Sequence, residues 1–197
     1  MATTMAEMSM SLDGFIADPA DSVDHLFGWY ANGPVAVPAP NGGMTFHVSP
    51  VSATYLREEF ASVTAMVAGR RTFDLTDGFA GGHPYDIPVF VVTHSMPPGW
   101  PRDDRPVTVV TDGLESAIAQ ARAVAGDGVV SVGAASIARQ CLNAGLLDTI
   151  RINLVPVLLG RGVRLFDQLA HTPIKLEDPE VVAGDGVIHL CYDVKSS

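Results

Sequence analysis

The sequence predicts an α/β fold with a mixed, mostly parallel sheet, helices on both faces and an antiparallel hairpin at the end. Three observations carry this. Short apolar strand patterns alternate with helical ones along most of the chain. Such alternation requires crossover connections and parallel pairing. The last two strand patterns instead flank Ala183-Gly184-Asp185-Gly186, which reads as a hairpin turn.

The elements follow in order. Met5 to Met10 alternates as a first strand, and Ser11 to Asp18 is a turn. Residues 31–48 (ANGPVAVPAPNGGMTFHV) carry so much Gly and Pro that no regular element is expected there. Ser49-Pro50 opens a helix reaching about Phe60, with serine as cap and proline in the first turn. Thr64–Ala68 is a buried-type strand stopping at Gly69, and a short helix starts near Arg71. Pro88–Thr93 and Val107–Val110 are strands rich in β-branched residues. Asp112 and Glu115 have capping-box spacing, and Leu114, Ala117, Ile118, Ala121 and Val124 form one helical face that Gly126 closes. Gly128–Val132 is a strand ending at Gly133. Ala134–Ala144 is a helix with Ile137, Cys141 and Leu142 inward and Gly145 at its end. Thr149–Leu159 is the longest strand pattern, broken only by Pro156. Its Ile152–Leu159 stretch suits either an edge that a partner covers or a buried central strand. Ile174–Val182 and Val187–Val194 make the hairpin.

Composition bounds the function. The chain has 197 residues, 47% hydrophobic and 17% charged, which suits one core-rich domain. A chain this long buries roughly two-thirds of its unfolded surface and needs no disulfide or metal staple. The net charge of −10 argues against nucleic acid and anionic membranes. Cys141 and Cys191 have no CxxC partner and read as buried, reduced thiols. With no basic n-region, no sustained apolar stretch and no span of about 20 apolar residues, the expectation is a soluble cytoplasmic protein without signal peptide or metal.

Open α/β sheets bind ligands beyond the carboxyl ends of their strands. Three strand exits there carry phosphate-suited groups. Gly69-Arg70-Arg71-Thr72 offers a glycine, two guanidinium groups and a hydroxyl. Thr93-His94-Ser95 offers two hydroxyls and an imidazole. Gly133-Ala134-Ala135-Ser136 offers small residues at a helix start. Each alone reads first as a turn glycine, a solvated arginine pair or an exposed loop histidine. Together they suit one extended dinucleotide, although the GxGxxG spacing of a Rossmann half is absent.

With these exits in place, the chain resembles the dihydrofolate reductase-like superfamily. Within it, the chain is most similar to the reductase domain of riboflavin-biosynthesis deaminase-reductases and their stand-alone bacterial relatives. The matching segments are SLDGFIA at 11–17, MVAGRRTF at 66–73, PVFVVTH at 88–94, VSVG at 130–133 and LLDTIRINLVPVLLGRG at 146–162. The resemblance implies a single domain of three-layer α/β/α type, a homodimer, and NADPH as hydride donor. It implies that Gly69, Arg70, Arg71 and Thr72 hold the pyrophosphate and adenosine side. Thr93, His94 and Ser95 then approach the 2′-phosphate, Gly133, Ala134, Ala135 and Ser136 meet the pyrophosphate, and Ile16 and Ala17 line the nicotinamide.

Asp13 is the catalytic candidate, as proton donor or through an ordered water. The same residue reads equally as a turn aspartate bonding its own backbone. Asp24 and His25 are weaker candidates. Met8, Met10, Phe27, Trp29, Tyr30, Phe46 and Phe79 supply either an apolar pocket or plain core. Arg161 and Arg164 are read as surface. Two departures stand out: Ala134 replaces the second of two adjacent glycines, and Phe15 stands where the riboflavin enzymes favour lysine or arginine. With the apolar 31–48 insertion, they point to a less charged substrate than the riboflavin intermediate. The implied activity is reduction of a small heterocyclic or ribose-linked compound. The alternatives are a non-catalytic nucleotide- or ligand-binding relative and a flavin-dependent oxidoreductase.

Overall fold

The computed structural model describes residues 2–102 and 106–194. The chain runs β1 (Thr3–Ser11), β2 (Phe15–Ala17), a 3-10 turn (Gly28–Ala31), β3 (Val35–Pro38), β4 (Thr45–Val48), α1 (Pro50–Ser62), β5 (Val63–Gly69) and α2 (Arg70–Leu75). It continues β6 (Val89–Val92), β7 (Val107–Val110), α3 (Leu114–Ala125), β8 (Val129–Val132), α4 (Ala135–Asn143), β9 (Thr149–Val155), β10 (Val163–Arg164), β11 (Glu180–Gly184) and β12 (Val187–Asp193).

The main sheet has eight strands in the order β11-β12-β9-β1-β8-β5-β6-β7. Pairing is parallel from β9 to β7 and antiparallel where β12 joins β9 and β11. This is the mixed, mostly parallel sheet that the alternating pattern predicts. β9 lies between β1 and β12, so the apolar run is a central strand and not an edge. Pro156, which has no N–H to give a ladder, follows its last residue.

Alternation along β1 divides the two faces. Ala6 packs with Val130, Val132, Ile150 and Ile152 against α3 and α4 in the larger core. Glu7, Ser9 and Ser11 point to the opposite face, beneath α1. A second core holds Leu26, Trp29, Val37, Val48, Leu56 and Val187 there.

Four expectations change. Residues 31–48 are not irregular: β3 and β4 form an antiparallel hairpin, with Val37 and Val48 buried. The alternation of Val35, Val37, Phe46 and Val48 outweighs the glycines and prolines, which occupy the entry, the turn and, as Pro38, the last position of β3. A Cβ on Gly33 would lie 2.0 Å from the Val48 carbonyl carbon, so the hairpin needs a glycine there. The cap of α3 is Gly113 at φ 114°, with no side-chain cap bond; the Asp112 carboxylate accepts from Ser116 instead. Val124 is 58% exposed and Ala125 takes the inward place, because the helical stripe drifts by its last turn. The Ser49 cap stands as expected, with its Oγ accepting from Ser52 N at 3.2 Å. Leu142, expected inward, is only half-buried, while Ile137 and Cys141 are buried.

Candidate functional site

Because β1, β5, β6 and β8 run parallel, their carboxyl ends share one edge of the sheet. The exits of β5 and β8 meet there. A Cβ on Gly69 would sit 3.3 Å from Ile137 and 3.8 Å from Ser136 Oγ. The Gly133 N–H donates to the Val67 carbonyl at 2.9 Å. Neither Gly69 before α2 nor Ala134 before α4 makes a side-chain cap bond, so both helix starts present N–H groups unmatched by caps. Ala134 holds φ +78°, a conformation that suits the glycine it replaces.

The other predicted residues occupy the same edge. Arg70 is paired with Asp74 at 2.8 Å, and Arg71 is ion-paired with Asp21. Arg71 thereby ties the helix start to the turn after β2. Thr93 Oγ1 donates to the Ser95 carbonyl at 3.1 Å, and His94 and Ser95 are exposed. Ile16 and Ala17 lie in β2, whose partner β10 brings Gly162 so close that a Cβ there would stand 2.0 Å from the Ala17 carbonyl oxygen. Asp24 and His25 are exposed in a turn. Phe27 is 44% exposed and packs edge-on against Tyr30, with ring centres 5.3 Å apart.

Asp13 is fully engaged. Its carboxylate accepts from Ser11 Oγ at 2.6 Å, Leu159 N at 3.1 Å and Gly160 N at 2.7 Å. The Ser11 hydroxyl first, then the two backbone N–H groups, hold its carboxyl below the usual aspartate value. A carboxylate stabilised in this way is a poor proton donor. Its geometry pins the β1–β2 turn to the loop at 159–160 that follows β9. At the same turn the Arg164 guanidinium lies 4.6 Å from the centre of the buried Phe15 ring. A cation therefore stands over the position where the departure at Phe15 removes one.

The sheet face beneath α1 and α2 carries a second group of polar residues, which the sequence reading did not select. Glu7, Met66, Ser131 and Gly133 lie at the centre of the sheet yet are only half-buried. α1 reaches Glu7 through Tyr55 and Glu59, and the half-buried residues left open between the helices form the floor of a cleft. Tyr30, Phe46, Phe60 and Tyr85 make one wall, with successive ring centres 4.8, 5.9 and 4.7 Å apart.

On the floor, Glu7 accepts from the Tyr55 hydroxyl at 3.0 Å and from Asn153 Nδ2 at 3.2 Å. Glu59, buried on α1, lies against Glu7 and accepts from the Tyr85 hydroxyl. Burial first, and the Glu7 charge second, push the Glu59 carboxyl well above the usual range. Burial likewise raises Tyr30, whose hydroxyl also feels Glu59 and Glu7.

Behind Asn153 stands His189, with its Nδ1 2.7 Å from Asn153 Oδ1 and its Nε2 3.0 Å from Ser52 Oγ. Asn153 gives its N–H to Glu7, so its oxygen accepts from His189 Nδ1–H, and Ser52 donates to Nε2. Burial lowers this imidazole to about 4. The signal for the whole group was period two: Glu7, Ser9 and Ser11 on β1, and Arg151 and Asn153 on β9, are polar at alternate positions of strands that the topology buries.

Among the described residues, no group of three or more His, Cys, Asp and Glu could hold a metal ion, and no helix is long and apolar enough to cross a membrane.

Known proteins share this fold. A putative riboflavin biosynthesis protein from Shewanella sp. PV-4 has a solved structure that superposes with a TM-score of 0.70, at 29% identity over all of both chains. A dihydrofolate reductase from Enterococcus faecalis, complexed with NADP(H), superposes at 0.59 with 15% identity, over 98% of this chain and 97% of that one. A pyrimidine reductase-like protein from Corynebacterium diphtheriae superposes at 0.57 with 12% identity, over 100% of this chain and 93% of that one. These last two establish the dihydrofolate reductase-like fold. In sequence, the uncharacterized protein YwjB of Bacillus subtilis (strain 168) is 24% identical over 175 residues, 88% of each chain. The profile of the RibD C-terminal domain matches residues 2–190, nearly the whole length, and the chain accordingly belongs to that family of reductase type.

Proposed function

We propose that the protein is an NADPH-dependent reductase that delivers hydride to a small heterocyclic or ribose-linked substrate. The observation that carries this reading is the contact between the β5 and β8 exits, where Gly69 meets Ser136 and Ile137 and both helix starts lack side-chain caps. Small residues and helix N–H groups without side-chain caps at one edge suit a pyrophosphate. When bound, the dinucleotide supplies the hydride, and the protein supplies orientation and field. In this reading Gly69, Thr72, Gly133, Ala135 and Ser136 hold the phosphates. Arg70 and Arg71 add positive charge on the adenosine side, Thr93, His94 and Ser95 meet the 2′-phosphate, and Ile16 and Ala17 border the nicotinamide.

Titration calorimetry with NADPH and NADH tests it. The expected result is saturable NADPH binding that weakens by about tenfold in Arg71→Glu, as loss of a charge-assisted contact implies. No heat with either nucleotide removes the reading. The alternative, a non-catalytic nucleotide-binding relative, is favoured by one observation: Asp13 is committed to Ser11, Leu159 and Gly160. NADPH binding with no turnover on any imine or carbonyl decides for it.

The homodimer is part of the same proposal. Leu12, 63% exposed, and Ile188 line one apolar groove with Leu154 and Pro156. Light scattering that shows a monomer at micromolar concentration removes it.

A further inference from the structure

The floor of the cleft holds two carboxyl groups that the cofactor reading does not use. Glu7 is half-buried and open to the cleft, while Glu59 is walled in at 3% exposure. Two carboxyl groups packed against each other in a buried place repel as anions, so they hold one proton between them. We propose that the Glu7–Glu59 pair is the proton donor of the reduction, passing its shared proton to the heteroatom of the C=N or C=O bond whose carbon receives hydride. This rests on the reductase reading and names the group which that reading lacks.

The balance closes. Hydride forms the new C–H bond, the π pair moves to nitrogen or oxygen, and that atom takes the proton from Glu7. Oxidation falls on the dinucleotide alone. The pair is left as two carboxylates and regains one proton from water.

The surroundings suit a proton that is held and then released. Glu7 on β1 faces Tyr55 and Glu59 of α1, Tyr30 of the 3-10 turn, and Asn153 and Arg151 of β9. Glu59 also faces Tyr85. The hydroxyls of Tyr55 and Tyr85 and the Asn153 amide fix the two carboxyls, and the bonds Ser52–His189–Asn153 fix that amide in turn. Arg151 pairs with Glu7 in register, and its buried Nε–H has no hydrogen-bond partner among the described residues. That fixed cation, with one donor uncommitted, faces the extra negative charge once the proton leaves. Asp13 has no such reserve, since its three donors favour the charged form.

The test begins without ligand. In the chain labelled with 13C at glutamate carboxyls, a pH titration by NMR is expected to show one carboxyl still protonated at neutral pH, and Glu59→Gln is expected to abolish it. NADPH oxidation is then followed with 2-methyl-1-pyrroline, a cyclic imine, and with D-ribose. Glu59→Gln is expected to lose about 100-fold in rate, the usual scale of general acid catalysis. It is expected to keep NADPH affinity within about twofold by calorimetry. The wild-type rate falls with rising pH, and Glu59→Asp restores part of the neutral rate. Titration of every glutamate in its ordinary range overturns the donor pair alone, and it needs no variant to fold. Retention of the rate within about threefold in Glu59→Gln does the same. No oxidation of NADPH by wild type with either probe overturns the reductase reading and the donor pair with it.

Discussion

At Ala134 a side chain occupies a backbone conformation that favours glycine, φ +78° and ψ 145°. Such strain costs about 1–3 kcal/mol, and glycine returns up to about 1 kcal/mol of it through the unfolded chain. Ala134→Gly is expected to gain about 1 kcal/mol in urea denaturation. Gly162 is the opposite case. Its φ is 145° and a Cβ would meet the Ala17 carbonyl, so Gly162→Ala should lose about 2 kcal/mol or more by the same measurement. The resemblance made the first position readable, because a paired glycine was missing from a known motif. The second was invisible, since the approach of β10 to β2 is a tertiary fact. Asp13 shows the limit most plainly: its residue type fitted both a donor and a turn anchor, and only the positions of Leu159 and Gly160 separate them. Glu7 and Glu59 lie 52 positions apart in sequence, and no local pattern joins them.

The helices and strands were largely legible where one signal acted alone. Ser49 caps α1 as its spacing with Pro50 predicts, and Ser49→Ala should cost about 1 kcal/mol in thermal or urea unfolding. Signals in competition were read less well. The β3–β4 hairpin was hidden by six glycines and prolines, although its inward valines alternate. Asp112 has the capping spacing, but Gly113 takes the cap at a positive φ that suits it. The strand in the LLDTIRINLVPVLLGRG segment had two readings, edge or centre. The β12 hairpin resolves them by adding two strands on its outer side.

Across the whole molecule, buried titratable groups set the pH range of stability. Burial lowers His83 and His189 from 6.5 to about 4 in the folded chain. Between those values the unfolded chain takes up protons that the native one refuses, so stability is lost as pH falls. Each group contributes a slope of about 1.4 kcal/mol per pH unit. Glu59 acts in the other direction. Its folded value is raised above 4.5, so the native chain keeps a proton that the unfolded chain releases. The stability from that proton is full below the unfolded value and is lost as pH rises through the folded one. Two rising slopes against one falling slope place the maximum near about pH 6.5. Urea midpoints at about pH 5, 6.5 and 8 should show the peak, and Glu59→Gln should flatten the alkaline side. The buried Trp29 indole, which donates to Ser9, stacks on Tyr30 and stands 5.1 Å edge-on from His189, gives the same equilibrium an optical readout. Its fluorescence should dim as the imidazole beside it gains charge on acidification, so the molecule reports the protonation of its own interior without an added dye.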